Sequence, residues 1–255
     1  MTITAYRAAV LADSPAGFWQ LQSVATAGVD SSGNARHGTV SGTIYTPAEA
    51  GPGVDVDAVK FDYSTPGRII VPDNNVWSST NFTVEAWVRA GRLTGNVQTM
   101  IRKSHSTLGQ AEWLLSEGGV HRLRFRISNT AVATWRGTFT GDINEATCPR
   151  DAWHHVAAVF NGTQCRAFID GVLVESPGTG PTGTRVGNTT GNLIIGAAHD
   201  TGTEPWDGGL SMVAYYPSAL SDARIASHYA AMTLTPPCVQ RGYRGIGLVR
   251  GHGRF

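Results

Sequence analysis

From residue 55 onward, apolar and polar positions alternate with a period of two. In residues 82–89 (FTVEAWVR), Phe82, Val84, Ala86 and Val88 share one face, and Thr83, Glu85, Trp87 and Arg89 share the other. This pattern predicts a half-buried strand. Leu123, Phe125 and Ile127 alternate with Arg122, Arg124 and Arg126 in the same way. Residues 153–174 read as a three-stranded meander. WHHVAAVF meets Asn161-Gly162, QCRAFI meets Asp170-Gly171, and VLV follows. Both dipeptides supply the positive φ that two-residue hairpin turns require. Apolar runs at 193–198 and 210–216 continue the series between Gly, Pro, Asn and Thr clusters. The pattern predicts an all-β fold, an antiparallel sandwich of two packed sheets, with Phe82, Val84, Phe125, Val156, Phe168 and Ile195 in or near its core.

The period changes twice. Residues 6–12 suit a short helix closed by Asp13-Ser14-Pro15. Residues 222–232 suit a better one, with Ser221 as N-cap, Asp222 in the first turn and Leu220 stapled to Ile225. Ile225, His228, Tyr229 and Met232 then form one face, which is expected to lie on the sandwich. After Pro236-Pro237 the chain becomes CVQRGYRGIGLVRGHGRF, without a periodic apolar face. Alone it buries too little surface to offset its ordering entropy. The expected organisation is one sandwich domain over 1–235 and an extended Gly/Arg-rich arm over 236–255. In the arm, Arg241, Arg244 and Arg250 can form forked hydrogen bonds, and Tyr243, Ile246, Leu248 and Phe255 can anchor in a partner's groove or sheet edge. The interspersed apolar residues favour a protein partner over nucleic acid, whose phosphates would dominate binding.

Composition refines this picture. The 31 glycines lack collagen spacing and read as frequent tight turns. A net charge of +1 gives no drive toward nucleic acid or membrane. Four arginines after residue 240 leave sixteen basic against nineteen acidic side chains in the rest, a slightly acidic body with a basic tail. Cys148, Cys165 and Cys238 show no C-x-x-C spacing and are expected as free thiols. The opening MTITAYRAAVLADSP has an acid and polar residues where a signal peptide needs a basic start and an apolar core, so synthesis in a reducing cytoplasm is expected. No apolar stretch reaches the roughly 18 residues of a membrane helix.

Several segments together resemble the laminin-G-like, concanavalin A-like jelly-roll family over residues 5–232. They are Phe18-Trp19-Gln20-Leu21, Asp30-Ser31-Ser32-Gly33-Asn34 with His37-Gly38, AVKFD at 58–62 and FTVEAWVR at 82–89. WHHVAAVFNG at 153–162, FIDGVLV at 168–174, LIIGAA at 193–198 and GLSMVAYYPSALSDARIASHY at 209–229 complete the series. The opening TAYRAAVLADSPAGFWQL looks like the start of laminin-G-like proteins in tailed bacteriophages of actinobacteria. That resemblance implies a non-enzymatic virion-surface protein of capsid or tail, made in the host cytoplasm and homo-oligomeric in the particle. Other virion subunits would be its partners, and host surface glycans a target.

The resemblance also implies a structural calcium, held by Asp30 and Asn34 together with a later acid. The family's acid position falls on Ser211, leaving Asp207 as the substitute; an Asx turn at Asp30 is the competing reading. No other cofactor is expected. Glycosidases of this fold use paired carboxylates on one strand. Here Glu112 and Glu117 have opposite parity with Leu114 between them, which argues against hydrolysis. His154-His155 point to opposite strand faces and read as structural. Among Trp77, Trp113, Trp135 and Trp206, the pairs Trp135-Arg136 and Trp206-Asp207 have the chemistry of a sugar platform, against the alternative that these rings plug the sandwich. A virion protein, a carbohydrate-binding module and a glycan hydrolase therefore compete, and the third lacks its acids.

Overall fold

The computed structural model describes residues 3–46, 50–53, 56–91, 95–104, 111–118, 122–128, 135–139, 149–174, 178–179 and 190–233. Helix α1 (Ile3–Ala12) leads into β1 (Gly17–Trp19), β2 (Thr39–Ser41), β3 (Val59–Phe61), β4 (Arg68–Val71) and β5 (Phe82–Ala90). Next come β6 (Gln98–Ser104), β7 (Ala111–Gly118), β8 (Arg122–Ser128), β9 (Trp135–Phe139) and β10 (His154–Phe160). The series ends with β11 (Gln164–Ile169), β12 (Val172–Leu173), β13 (Gly178–Thr179), β14 (Leu193–Ile195), β15 (Gly208–Tyr216) and helix α2 (Asp222–Thr233).

Two antiparallel sheets form a sandwich. One runs β1-β15-β5-β10-β11-β12, with β3 on β15 and β13 on β11; the other runs β2-β4-β14-β6-β7-β8-β9. The alternation in 82–89 is realised in the register. Phe82, Val84, Ala86 and Val88 face the inter-sheet core together with Val156, Phe125 and Ile195. Four aromatic rings fill one region of it: Trp77 lies edge-on to Tyr215 at 5.3 Å, and Phe82 and Trp113 both stack on Tyr215 at 5.5 Å. Offset and edge contacts of this kind are the favoured aromatic geometries.

The expectation of a half-buried strand needs correction on β5. Thr83, Glu85 and Trp87 are as buried as their neighbours, because α1 and α2 cover the outer face of that sheet. Tyr6, Val10, Ile225 and Met232 from the helices pack there against Trp87, Val159, Phe168 and Tyr216. Phe168 is thus buried, but on the helix side. Helix α2 starts as its sequence predicts: Arg224 N donates to Ser221 Oγ at 3.3 Å, and Leu220 and Ile225 share the same apolar cluster.

At the centre of this second layer Glu85 is a buried acceptor. Tyr216 OH donates to its Oε1 at 2.6 Å, His155 Nε2 meets Oε2 at 3.1 Å, and His228 Nδ1 lies 3.0 and 3.1 Å from the two oxygens. The other ring nitrogen of His228 is 3.0 Å from Asp13, which also accepts from Arg224 at 2.8 Å. Burial pushes the Glu85 carboxyl up, but the His228 charge and the hydrogen bonds of His155 and His228 outweigh it and hold the group well below the usual carboxylate range. Burial lowers His228, yet Glu85 and then Asp13 raise it above the ordinary imidazole value.

The meander also departs from its prediction in one detail. Ile169 pairs with Val172 across Asp170-Gly171, whose φ values of 51° and 76° are those of the expected two-residue turn. In the first hairpin Asn161 N donates to Gln164 O, so the tip moves one residue to Gly162-Thr163. The Asn161 side chain accepts from Thr163 N and Gln164 N instead of entering the left-handed region itself.

Candidate functional site

One end of the eight-stranded sheet holds an open cleft of about 320 Å³, lined by Lys60, Arg89, Arg150, Asp151 and Trp153 with the backbone of Gly91, Gly208 and Gly209. Its parts come from β3, the end of β5, the start of β15 and the turn before β10. That turn is tied down from behind. His154 lies 2.7 Å from Asp170 Oδ2 and 3.2 Å from the Pro149 carbonyl, and Ala152 N donates to Pro149 O at 3.1 Å. Arg150 ion-pairs with Glu117 and donates from Nε to Gly91 O at 2.9 Å. Arg89 donates from Nε to the Asp151 carbonyl.

Trp153 is half-buried, and its Nε1 donates to Ala50 O at 3.0 Å. The far edge of its ring lies over Gly209, where an added Cβ would stand 2.5 Å from Cη2. Glycine is therefore required beneath the ring. At Gly208 the φ of 142° and a Cβ position 2.1 Å from the Arg89 carbonyl also exclude a side chain. The result is an aromatic ring beside open backbone and cationic groups, an arrangement that can stack a sugar face and bond its hydroxyls.

Other sequence candidates fall elsewhere. Trp206 has no exposed surface; it lies in the inter-sheet core and donates from Nε1 to Gly209 O at 3.3 Å. It cannot serve as a sugar platform, and this corrects the Trp206-Asp207 expectation. Asp207 is buried beside Gly91 and accepts from Tyr63 N at 3.4 Å. Trp77 and Trp113 are also core residues. Trp135 and Arg136 lie on β9 opposite Ser128 and Ile127, and their side chains are outside the described residues. So is the whole arm carrying Arg241, Tyr243, Arg244, Ile246, Leu248, Arg250 and Phe255. Of the cysteines, Cys165 is buried in the inter-sheet core, and Cys148 and Cys238 lie outside the described residues.

The calcium expectation does not fit this donor set. Both Asp30 oxygens are already in use: Oδ1 accepts from Phe18 N and Ser32 N at 2.9 Å, and Oδ2 from Ser32 Oγ at 2.9 Å and Arg36 N at 2.8 Å. Burial pushes this carboxyl up, but the three main-chain N–H groups and the hydroxyl bring it below its ordinary value. Asn34 turns its amide nitrogen to the carbonyls of Pro15 and Ala16, at 3.1 and 3.3 Å. Asp30 bridges Trp19, whose partner is Val213, while Asp207 precedes the far end of β15, about 20 Å away at ~3.3 Å per residue. Among the described residues no group of three or more His, Cys, Asp or Glu side chains is placed to hold a metal ion.

The hydrolase carboxylates are no better placed. Glu112 is buried, accepting from Ser78 Oγ at 2.9 Å with Lys103 Nζ 4.0 Å away, and Glu117 is buried against Arg150. His154 and His155 both have structural partners, Asp170 and Glu85. Among the described residues no helix is long and apolar enough to cross a membrane. Sequence reasoning missed Trp153, Lys60, Arg89 and Arg150 as a site. Trp153 stood in a quoted motif, but its position just before a strand carries no periodic signal.

No curated protein matches the chain. Among solved structures it is similar to domain 4 of AbnA, a GH43 extracellular arabinanase from Geobacillus stearothermophilus solved in complex with arabinotriose. Identity is 18%, the TM-score is 0.63, and the match covers 85% of this chain and 98% of that one. It is similar also to the receptor-binding domain of botulinum neurotoxin C/D mosaic serotype, at 18% identity and a TM-score of 0.64, over 85% of this chain and 51% of that chain. A third is botulinum neurotoxin type C, which enters cells in dependence on two ganglioside molecules, at 15% identity and a TM-score of 0.66, over 90% of this chain and 53% of that chain. The chain thus spans about half the length of the neurotoxin structures. These likenesses are of fold. At the level of sequence, the family profile of the laminin-G type matches residues 64–226, and the chain belongs to the concanavalin A-like lectin/glucanases superfamily.

Proposed function

We propose that the chain is a non-enzymatic, lectin-like domain that binds carbohydrate in the cleft at Trp153. The observation that carries this reading is the cleft itself, in which a half-buried indole lies beside glycine backbone and polar, cationic side chains. Two similar folds point the same way: the arabinanase domain was solved with arabinotriose, and type C neurotoxin depends on gangliosides. Hydrolysis would need two carboxylates flanking a sugar bond, and Glu112 and Glu117 are each buried against a cation.

The setting we propose is the surface of a tailed-phage particle, where sugar binding would serve attachment to the host. Support comes from the resemblance of the opening TAYRAAVLADSPAGFWQL, which builds α1 and β1. In that setting residues 236–255 act as the arm that joins the domain to other virion subunits, and the protein is homo-oligomeric.

The test is binding of the purified protein to an array of bacterial and animal envelope glycans. The wild type is expected to bind, and Trp153→Ala and Gly209→Ala to lose binding with an unchanged circular dichroism spectrum, the second because its Cβ would displace the ring. A wild type that binds no glycan, or a Trp153→Ala variant that binds as well as the wild type, would overturn the reading. Release of reducing ends from bound glycans would show an enzyme instead.

A further inference from the structure

The cleft has cationic side chains as well as an aromatic wall, and the next inference rests on the sugar-binding reading. Lys60, Arg89 and Arg150 reach it from three separate parts of the chain, and Asp151 is the one acid among its described lining residues. Glu117 stands behind Arg150 and balances it.

Two of the three cations are held in place. Arg150 is fixed by Glu117 and by the Gly91 carbonyl, and Arg89 by the Asp151 carbonyl. Lys60 is anchored through its main chain, which exchanges bonds of 2.8 and 2.9 Å with Tyr45, while the residue itself is exposed. A ligand anion meeting groups already fixed loses less of its binding energy to ordering them. Guanidinium forks and an ammonium both suit a carboxylate, and bonds between charged partners exceed those a neutral hydroxyl makes.

We propose that the cleft selects acidic sugars, rings that carry a carboxylate, with the ring against Trp153 and the carboxylate at Lys60 and Arg89. Uronic and sialic acids share this chemistry. Two matched pairs of probes separate charge from shape and one source from the other: trigalacturonate against its methyl ester, and 3′-sialyllactose against lactose. By calorimetric titration at low salt, the acidic member of at least one pair is expected to bind about tenfold tighter or more, the factor that one charge-assisted hydrogen bond supplies. The ratio should shrink as salt rises. Lys60→Gln should bring the ratio toward one. Arg126→Gln removes a charge from the other sheet and should leave it unchanged.

Equal binding within both pairs, or a ratio that survives Lys60→Gln, would overturn the acidic-sugar inference, and so would a ratio abolished by Arg126→Gln. If the neutral members still bind and Trp153→Ala removes that binding, the sugar-binding reading stands without the charge selectivity. If no member of either pair binds and the array is also blank, both fall.

Discussion

Trp153 and Trp206 show how one residue type takes two roles according to its neighbours. Both are bonded through Nε1 to a main-chain carbonyl, but Trp206 fills the space between the sheets while Trp153 lies over Gly209 at an open end. Trp206→Ala is therefore expected to cost about 3–5 kcal/mol of stability, the usual price of emptying an aromatic core site. Denaturant unfolding measures this, and a variant that keeps full stability but loses sugar binding would contradict its place in the core. Asp30 invites a second test. Its carboxylate gathers four donors, so Asp30→Ala should lower stability by about 1–3 kcal/mol at neutral pH by stranding them. Because those donors occupy both oxygens, added calcium or a chelator should leave the wild-type melting temperature unchanged. The folded-state carboxyl lies below the ordinary aspartate value, so its contribution is present above that value and fades as pH falls through the lower folded one.

At the scale of elements, the sequence made the strands legible because alternation is a local property. The residues of 82–89 and 122–128 carry their own register, and Asp170-Gly171 carries its own turn, while Asn161-Gly162 marks the first hairpin with its tip one residue later. The second apolar layer was legible only from the helix side: the face of Ile225, His228, Tyr229 and Met232 was expected on the sandwich, but the outer face of β5 looks solvent-facing until α1 and α2, from opposite ends of the chain, are laid across it. On β5 itself Glu85 hinted at it, as an acid inside a strand whose sequence gives no partner. The network around Glu85 gives the helices a proton dependence. His228 is raised, so its contribution is whole below the unfolded value near 6.5 and is lost as pH rises through the folded one. Glu85 is depressed, so its contribution is whole above the unfolded value near 4.5 and is lost only in stronger acid. Groups facing this centre are Tyr6 and Asp13 from the first helix and the turn after it, Tyr216 and His155 from the sheet, and Arg224 from α2. Stability should therefore be greatest between about pH 4.5 and 6.5 and decline above that range. His228→Gln should flatten the alkaline decline, and Glu85→Gln should cost about 3–5 kcal/mol by removing the buried carboxylate that Tyr216, His155 and His228 share. Melting temperature against pH for the three proteins checks the sign. A wild type that gains stability from pH 6.5 upward would refute the assignment.

For the whole molecule, the fold was readable and the cleft was not, because Ala50, Lys60, Arg89, Arg150 and Gly209 come together only once β3, β5 and β15 are paired. No local pattern encodes such a meeting. Among the described residues, both apolar clusters draw their buried side chains from between Tyr6 and Met232. The two ends of that span are tied together, since Ala16 N donates to Tyr215 O at 2.8 Å and Arg224 of α2 reaches Asp13 and the Ala9 carbonyl at 2.8 and 3.3 Å. Separating either helix would expose Trp87 and strand Glu85, so the layers should unfold as one cooperative unit. A chain ending at residue 235 is then expected to show a single transition at the full-length midpoint and the same sugar affinity. In the particle-surface reading it should also fail to join assembled particles. A midpoint lower by more than about 2–4 °C, the shift that 1 kcal/mol produces in a chain of this size, would give residues 236–255 a part in the fold. Particles carrying the shortened chain at normal copy number would remove their anchoring role.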